Sequence, residues 1–172
     1  MANTGNAGID AATLQAAMVQ FQDLLAQNEQ LLNDLNVYPV PDSDTGSNTL
    51  HTLKAGIANT VGHASDVGEY ATALATGAAK SALGNSGVIL AQYLQGLAQG
   101  LSQIETPDEC STSEWQQSLQ QAATVARESV LTPAEGTMLT IADAAANVAA
   151  QSDFQKYYQA VQIAVRTAVI ET

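Results

Sequence analysis

The stretch Asn36–Leu50 reads NVYPVPDSDTGSNTL, and its two aspartates, Asp42 and Asp44, carry the spacing best suited to metal chemistry in this chain. In an extended segment residues i and i+2 project to the same side, so this spacing predicts two carboxylates aimed at one point. Two carboxylates held close repel each other unless a cation lies between them. An all-oxygen donor set suits Mg²⁺ or Ca²⁺ rather than zinc. Pro39 and Pro41 stiffen the approach, Gly46 permits a turn, and a helix N-terminus follows. The bland alternative is that both aspartates serve as turn residues and helix N-caps, a common role for an isolated Asp-x-Asp.

An EF-hand is excluded by register. With Asp42 at position one, the glycine position holds Ser47 and the bidentate glutamate position holds Leu53.

Two further helix starts share the character of the first. LGNSGVIL, Leu83 to Leu90, places two glycines, Asn85 and Ser86 ahead of an apolar helix, where first-turn amides can donate to an anion. TPAEGTMLTI, Thr132 to Ile141, opens a helix with Glu135-Gly136-Thr137 and offers Met138 and Leu139 as apolar surface. Each alone is an ordinary turn and cap. If the three converge, they form a pocket rich in amide donors with a divalent cation at its edge. Neither a Walker P-loop nor a G-x-G-x-x-G fingerprint is present.

The charge balance bears on this chemistry. Against 17 acidic residues stand five basic ones, Lys54, Lys80, Arg127, Lys156 and Arg166, for a net charge of -12. Such a chain repels nucleic acid and anionic membranes. It repels a polyphosphate too, unless metal ions neutralise it, since none of the five cations lies inside the three motifs. His51 and His63 read as surface residues.

The elements that must position these residues are helices. Leu14, Met18, Phe21, Leu25, Leu32 and Leu35 form a helical stripe from Asp10 to before Pro39. A second helix is predicted from Ser47 or Asn48, with Leu50, Leu53, Ile57 and Val61 on one face, and a third within residues 62–83. The fourth runs from Ser86 to about Gly100, with Leu97 inward beside either Val88, Ile89 and Tyr93 or Leu90 and Leu94. Ser113 to Leu131, Thr137 to Ala150, and Asp153 onward complete the set. No period-two strand stands out, so the expected class is all-α, an antiparallel bundle of about seven to eight helices.

A chain of 172 residues is one domain, with residues 1–9 expected to be disordered and 10–172 folded. The start, MANTGNAGID, has no secretory pattern, and Cys110 is alone and reads as an inert loop thiol. No apolar run reaches the length of a membrane span, and the expected setting is the cytoplasm. The last residues, QAVQIAVRTAVIET, keep helical register with no stop signal, so the domain is expected to be truncated at its C-terminal end.

LNVYPVPDSDTGSNT, GNSGVILAQYLQG and TPAEGTMLTIADAA resemble, in order and spacing, the nucleotide-binding domain of bacterial fatty acid kinases. That domain is related to the L-type ATP-binding domain of dihydroxyacetone kinases, and the likeness covers about Asp10 to Ala150. Thr45 points to the fatty acid branch, because the dihydroxyacetone branch has His after the second aspartate. The resemblance implies a helical barrel holding ATP or ADP and two Mg²⁺ ions at one end. It makes Asp42 and Asp44 metal ligands and puts Asn36 where the dihydroxyacetone kinases have a third aspartate. Thr45, Gly46, Asn48, Gly84, Asn85, Ser86 and Gly87 would hold phosphates, with Thr137, Met138 and Leu139 near base and ribose. The implied substrate is a fatty acid carried by a separate lipid-binding protein and phosphorylated on its carboxylate, with homodimerisation through additional domains. Leu83 stands where that family usually has arginine. The rivals are a non-catalytic ADP/ATP-binding regulatory module, a dihydroxyacetone-type kinase subunit, and a helical interaction domain with a structural divalent ion.

Overall fold

The computed structural model describes residues 8–37, 40–63, 66–104 and 109–171. Pro39 and residues 1–7, on which the stiffened approach and most of the disordered N-terminus were placed, lie outside the described residues.

Among the described residues the chain forms seven α-helices and no strand: α1 (Ala11–Asp34), α2 (Thr45–Ala58), α3 (Val67–Lys80), α4 (Gly84–Leu101), α5 (Thr112–Glu128), α6 (Met138–Ala146) and α7 (Phe154–Glu171). Local capping residues start five of them, Asp153 closing the start of α7 by accepting from the Lys156 amide at 3.1 Å. Asp10 accepts from the Thr13 amide at 2.7 Å, and hydrogen bonding from the Thr13 side chain, then from this amide, holds its carboxyl below the usual aspartate range. Asp66 accepts from the Glu69 amide, Ser111 and Glu114 form a capping box, and Thr137 accepts from the Leu139 amide. The two remaining starts flanked by described residues, those of α2 and α4, have no side-chain cap from their own N-cap residue.

Apolar side chains from α1 to α5 meet in one core that includes Leu14, Leu50, Leu53, Tyr70, Leu74 and Leu101. Of the two faces open for α4, the structure buries Leu90, Leu94 and Leu97 and leaves Val88 exposed. Leu35 and Val61, assigned to buried stripes from their spacing, are exposed because α1 and α2 end before reaching them. Ile9 departs from the expected disorder. It is buried and pairs with Cys110 through two backbone hydrogen bonds of 2.8 Å. Burial, with a smaller contribution from Glu114, pushes the Cys110 thiol up to about 12, which fits an unreactive cysteine.

Helix direction sets where the loops fall. Gly96 packs on the backbone of Gln121 and Ala122, and Gly100 packs on Ser118, so α4 and α5 run antiparallel. The segment just past α5 therefore lies at the end of the bundle where α4 begins. Arg127 pairs with Asp143, and Gln116 donates to the Ala146 carbonyl, so α6 returns antiparallel to α5. α2 and α4 begin side by side: the Ser86 hydroxyl donates to the Thr45 carbonyl at 3.3 Å, and Gly84 packs on Asn48. The described parts of 35–44, of 81–83 and of 129–137 therefore share one end of the bundle. No helix among the described residues is long and apolar enough to cross a membrane.

Candidate functional site

The site is built from the last turn of α1 outward. By backbone position Asp44 is the N-cap of α2, and its carbonyl accepts the first helical bond from the Asn48 amide at 2.9 Å. A capping side chain accepts from the second or third helical amide. Here both belong to Asn33 of α1, whose Oδ1 accepts from Gly46 N–H at 2.8 Å and Ser47 N–H at 3.2 Å. The Asn33 side chain is held in turn, its Nδ2 donating to the Ser47 hydroxyl, which donates to Glu29 Oε1 at 2.7 Å. Asp44 makes no capping bond, so the bland role foreseen for it is filled by another residue. This external cap also explains why α2 starts at Thr45, two residues before the predicted Ser47.

Between the aspartates the chain is not extended. Ser43 has φ +56, in the left-handed region, which overturns the i, i+2 expectation and places a turn between Asp42 and Asp44. Non-glycine residues held there cluster at functional sites. Asn36 braces the turn: its Nδ2 donates to Asp42 Oδ1 at 2.9 Å and to the Val40 carbonyl at 2.8 Å, while its Oδ1 accepts from the Thr45 hydroxyl. Both ends of that carboxamide are committed to the loop, so Asn36 organises it.

The expected phosphate residues divide by what they already hold. The Gly46 amide is taken by Asn33, and a Cβ at Gly46 would overlap the Glu29 carbonyl oxygen; this glycine lets α2 approach α1. Gly87 is buried, its amide bonds to the Leu83 carbonyl, and a Cβ there would overlap the Thr52 hydroxyl. Both are corrections to an amide-donor role. At the start of α4, Gly84 and Asn85 are exposed and Ser86 is half-buried, and the N-cap position holds Leu83, whose side chain offers no hydrogen-bond acceptor. Gly84 takes φ +59, which the absence of a Cβ permits. The first-turn amides of α4 thus lack a side-chain cap at an exposed helix N-terminus beside the aspartate loop.

The third motif lies between α5 and α6, at the end of the bundle where α4 begins. Gly136 takes φ +77, and its amide donates to the Thr140 hydroxyl at 3.0 Å. That hydroxyl donates to Glu135, which also pairs with Arg127 at 3.2 Å; these two contacts hold the Glu135 carboxyl below its usual range. Arg127, outside the motif in sequence, therefore reaches into it and is neutralised by Glu135 and Asp143. Thr137 caps α6 and Met138 is half-buried, but Leu139 is a core residue, which removes it from the expected ligand surface.

No group of three or more His, Cys, Asp or Glu able to hold a metal occurs among the described residues. Asp42 and Asp44 fit Mg²⁺ all the same, because that ion is bound through one or two carboxylates together with waters and substrate phosphates. Sequence reasoning missed Asn33 and Glu29. Each sits in an ordinary polar position of α1, and only the placement of α2 reveals their use.

Residues 39–172 match the DAK2 domain family. An uncharacterized protein of Staphylococcus epidermidis is 38% identical over 133 residues, which is 77% of this chain and 24% of that protein. Protein YloV of Bacillus subtilis is 36% identical over 142 residues, 82% of this chain and 25% of YloV. An uncharacterized protein of Staphylococcus saprophyticus is 34% identical over 144 residues, 83% of this chain and 26% of that protein. The chain spans about a quarter of the length of these relatives.

Proposed function

We propose a metal-dependent phosphotransferase role for this chain, which belongs to the DAK2 domain family of dihydroxyacetone-kinase-like helical domains. The domain binds ATP or ADP at the end of the bundle that carries the aspartate loop, and serves a kinase that transfers phosphate to a fatty acid carboxylate in the cytoplasm. A separate lipid-binding protein presents that acid. The observation that carries this proposal is the Asp44 carboxylate. It stands at a helix N-cap yet makes no capping bond, beside Asp42 in a strained turn.

Asp42 and Asp44 would hold Mg²⁺, which when bound supplies the positive charge that a polyphosphate needs in a chain of net charge -12. The exposed amides at the start of α4 favour an anion through hydrogen bonding and the helix dipole. Phosphoryl transfer depends mainly on positioning and electrostatic stabilisation, and both come here from backbone and carboxylates. A carboxylate acceptor is ionised at neutral pH and requires no general base. In keeping with this, His51 is exposed on α2, and His63, past the far end of α2, pairs with Glu69 at 3.0 Å.

Calorimetric titration of ADP and ATP tests the proposal, with Mg²⁺, with EDTA, and with Asp42→Ala. Binding that requires Mg²⁺ and is lost in the variant is the expected result; a folded chain that gives no heat with either nucleotide overturns it. Leu83 favours a second reading, a nucleotide-binding module without transfer, since it places an exposed leucine at the N-cap of α4 where related kinases have arginine. Mg²⁺-dependent nucleotide binding without phosphoryl transfer to a presented fatty acid distinguishes the two.

A further inference from the structure

We propose that Asn33 is a positioning residue for the cation: by closing the start of α2 from α1, it releases Asp44 from capping and leaves its carboxylate to the metal. This rests on the metal-nucleotide proposal above and assigns a role to a residue outside the three motifs.

Geometry comes first. An aspartate at an N-cap normally turns its carboxylate onto the second and third helical amides. In this chain those amides, Gly46 and Ser47, are both bonded to Asn33 Oδ1. Asn33 is 8% exposed, and its other side-chain atom is tied through the Ser47 hydroxyl to Glu29, one turn earlier on α1. The Glu29 carbonyl also lies against Gly46, where no side chain fits. Two residues of α1 thus form a cradle for the first turn of α2.

Charge explains the residue type. The start of a helix attracts an anion, and a carboxylate at position 33 would satisfy the same two amides. It would also add a negative charge beside Asp42 and Asp44, whereas a neutral carboxamide closes the helix without competing for the cation. Remove it, and Asp44 is the acceptor already positioned to take over the cap. The two roles of Asp44 then compete.

The test measures how much Mg²⁺ is needed for half-maximal ADP binding in the 172-residue chain and in Asn33→Ala, together with the side-chain carboxyl resonance of Asp44. In Asn33→Ala the Mg²⁺ requirement is expected to rise about 10- to 100-fold, the usual cost of losing a residue that orients a ligand. ADP binding in EDTA should be unchanged, and the Asp44 resonance should shift as its carboxylate turns onto the helix. Asn33→Asp, which still accepts from both amides, is expected to leave the Asp44 resonance near its wild-type position, and a shift like that of Asn33→Ala overturns the role. A folded Asn33→Ala with the wild-type Mg²⁺ requirement and an unmoved Asp44 resonance overturns the role while the nucleotide proposal stands. Where Asn33→Ala does not fold, Ser47→Ala decides: it loosens Asn33 and is expected to raise the requirement several-fold, and an unchanged value overturns the role. If wild type binds no nucleotide with Mg²⁺, the nucleotide proposal fails and takes this role with it.

Discussion

Two helices, α2 and α4, begin side by side at the same end of this bundle and are finished in opposite ways. The first-turn amides of α2 are closed by Asn33 from a neighbouring helix, which leaves the adjacent aspartate uncommitted. Those of α4 follow an exposed leucine and a left-handed glycine, with no side-chain cap from the N-cap residue. An unsatisfied helix start costs stability, so leaving one open beside a closed one separates two tasks. On the proposed function, one start would supply carboxylates for a cation and the other donors for an anion.

Breaking the carboxylate half should have the largest effect. Asp44→Ala is expected to weaken Mg²⁺-dependent ADP binding by more than about 100-fold, beyond the range seen for residues that only orient a ligand. Because Asp44 does not cap, the same variant should change unfolding free energy by less than about 0.5 kcal/mol, as an ordinary surface substitution does. Calorimetry and denaturant unfolding of one preparation check both; a loss of stability comparable to a missing cap would show that Asp44 does close α2.

Gly84→Ala disturbs the donor half through its backbone. A Cβ would meet the Asn48 side chain, and φ +59 is unfavourable for alanine. The expected destabilisation is about 1–2 kcal/mol, read from denaturant midpoints. Leu83→Ser sharpens the contrast because its two effects have opposite signs. A serine at the N-cap should stabilise α4 by about 1 kcal/mol, while its hydroxyl occupies amides that an anion would otherwise use. A higher melting temperature with several-fold weaker ADP binding is the expected pair of results; stronger binding would argue against the amides as donors.

The smallest effect lies away from both helix starts. Cys110, pushed up to about 12 by burial, should be silent to thiol reagents at pH 8 until the chain unfolds. A raised folded-state value means the folded protein holds the thiol proton more tightly than the unfolded chain. Its stabilising contribution is therefore full below about pH 8.5 and is lost as pH rises from there toward 12. Reagent kinetics across that range check the direction.

Much of this molecule was legible from residue order alone. The regularly spaced leucines of α1, the helix starts at Asp10 and Thr137, and the proline and glycine breaks place seven helices near their observed positions. Local rules succeed where a helix is finished by its own residues. At α2 they misplaced the start by two residues, since the cap comes from thirteen positions upstream in sequence. At α4 the spacing left two faces open, and only packing against the core selected Leu90 and Leu94. At Leu139 an apolar side chain next to a motif was taken for ligand surface, although α6 turns it into the core.

Composition and motif spacing by themselves determined the all-α class, the acidic surface that requires a cation beside any polyphosphate, and the three helix starts worth comparing. Tertiary structure alone decided what those starts can do. Antiparallel packing brought them to one end, and the approach of α1 to Gly46 gave the cap to Asn33. Whether a carboxylate or an amide is available to a ligand depends on who already holds it, and that partner can lie anywhere in the chain.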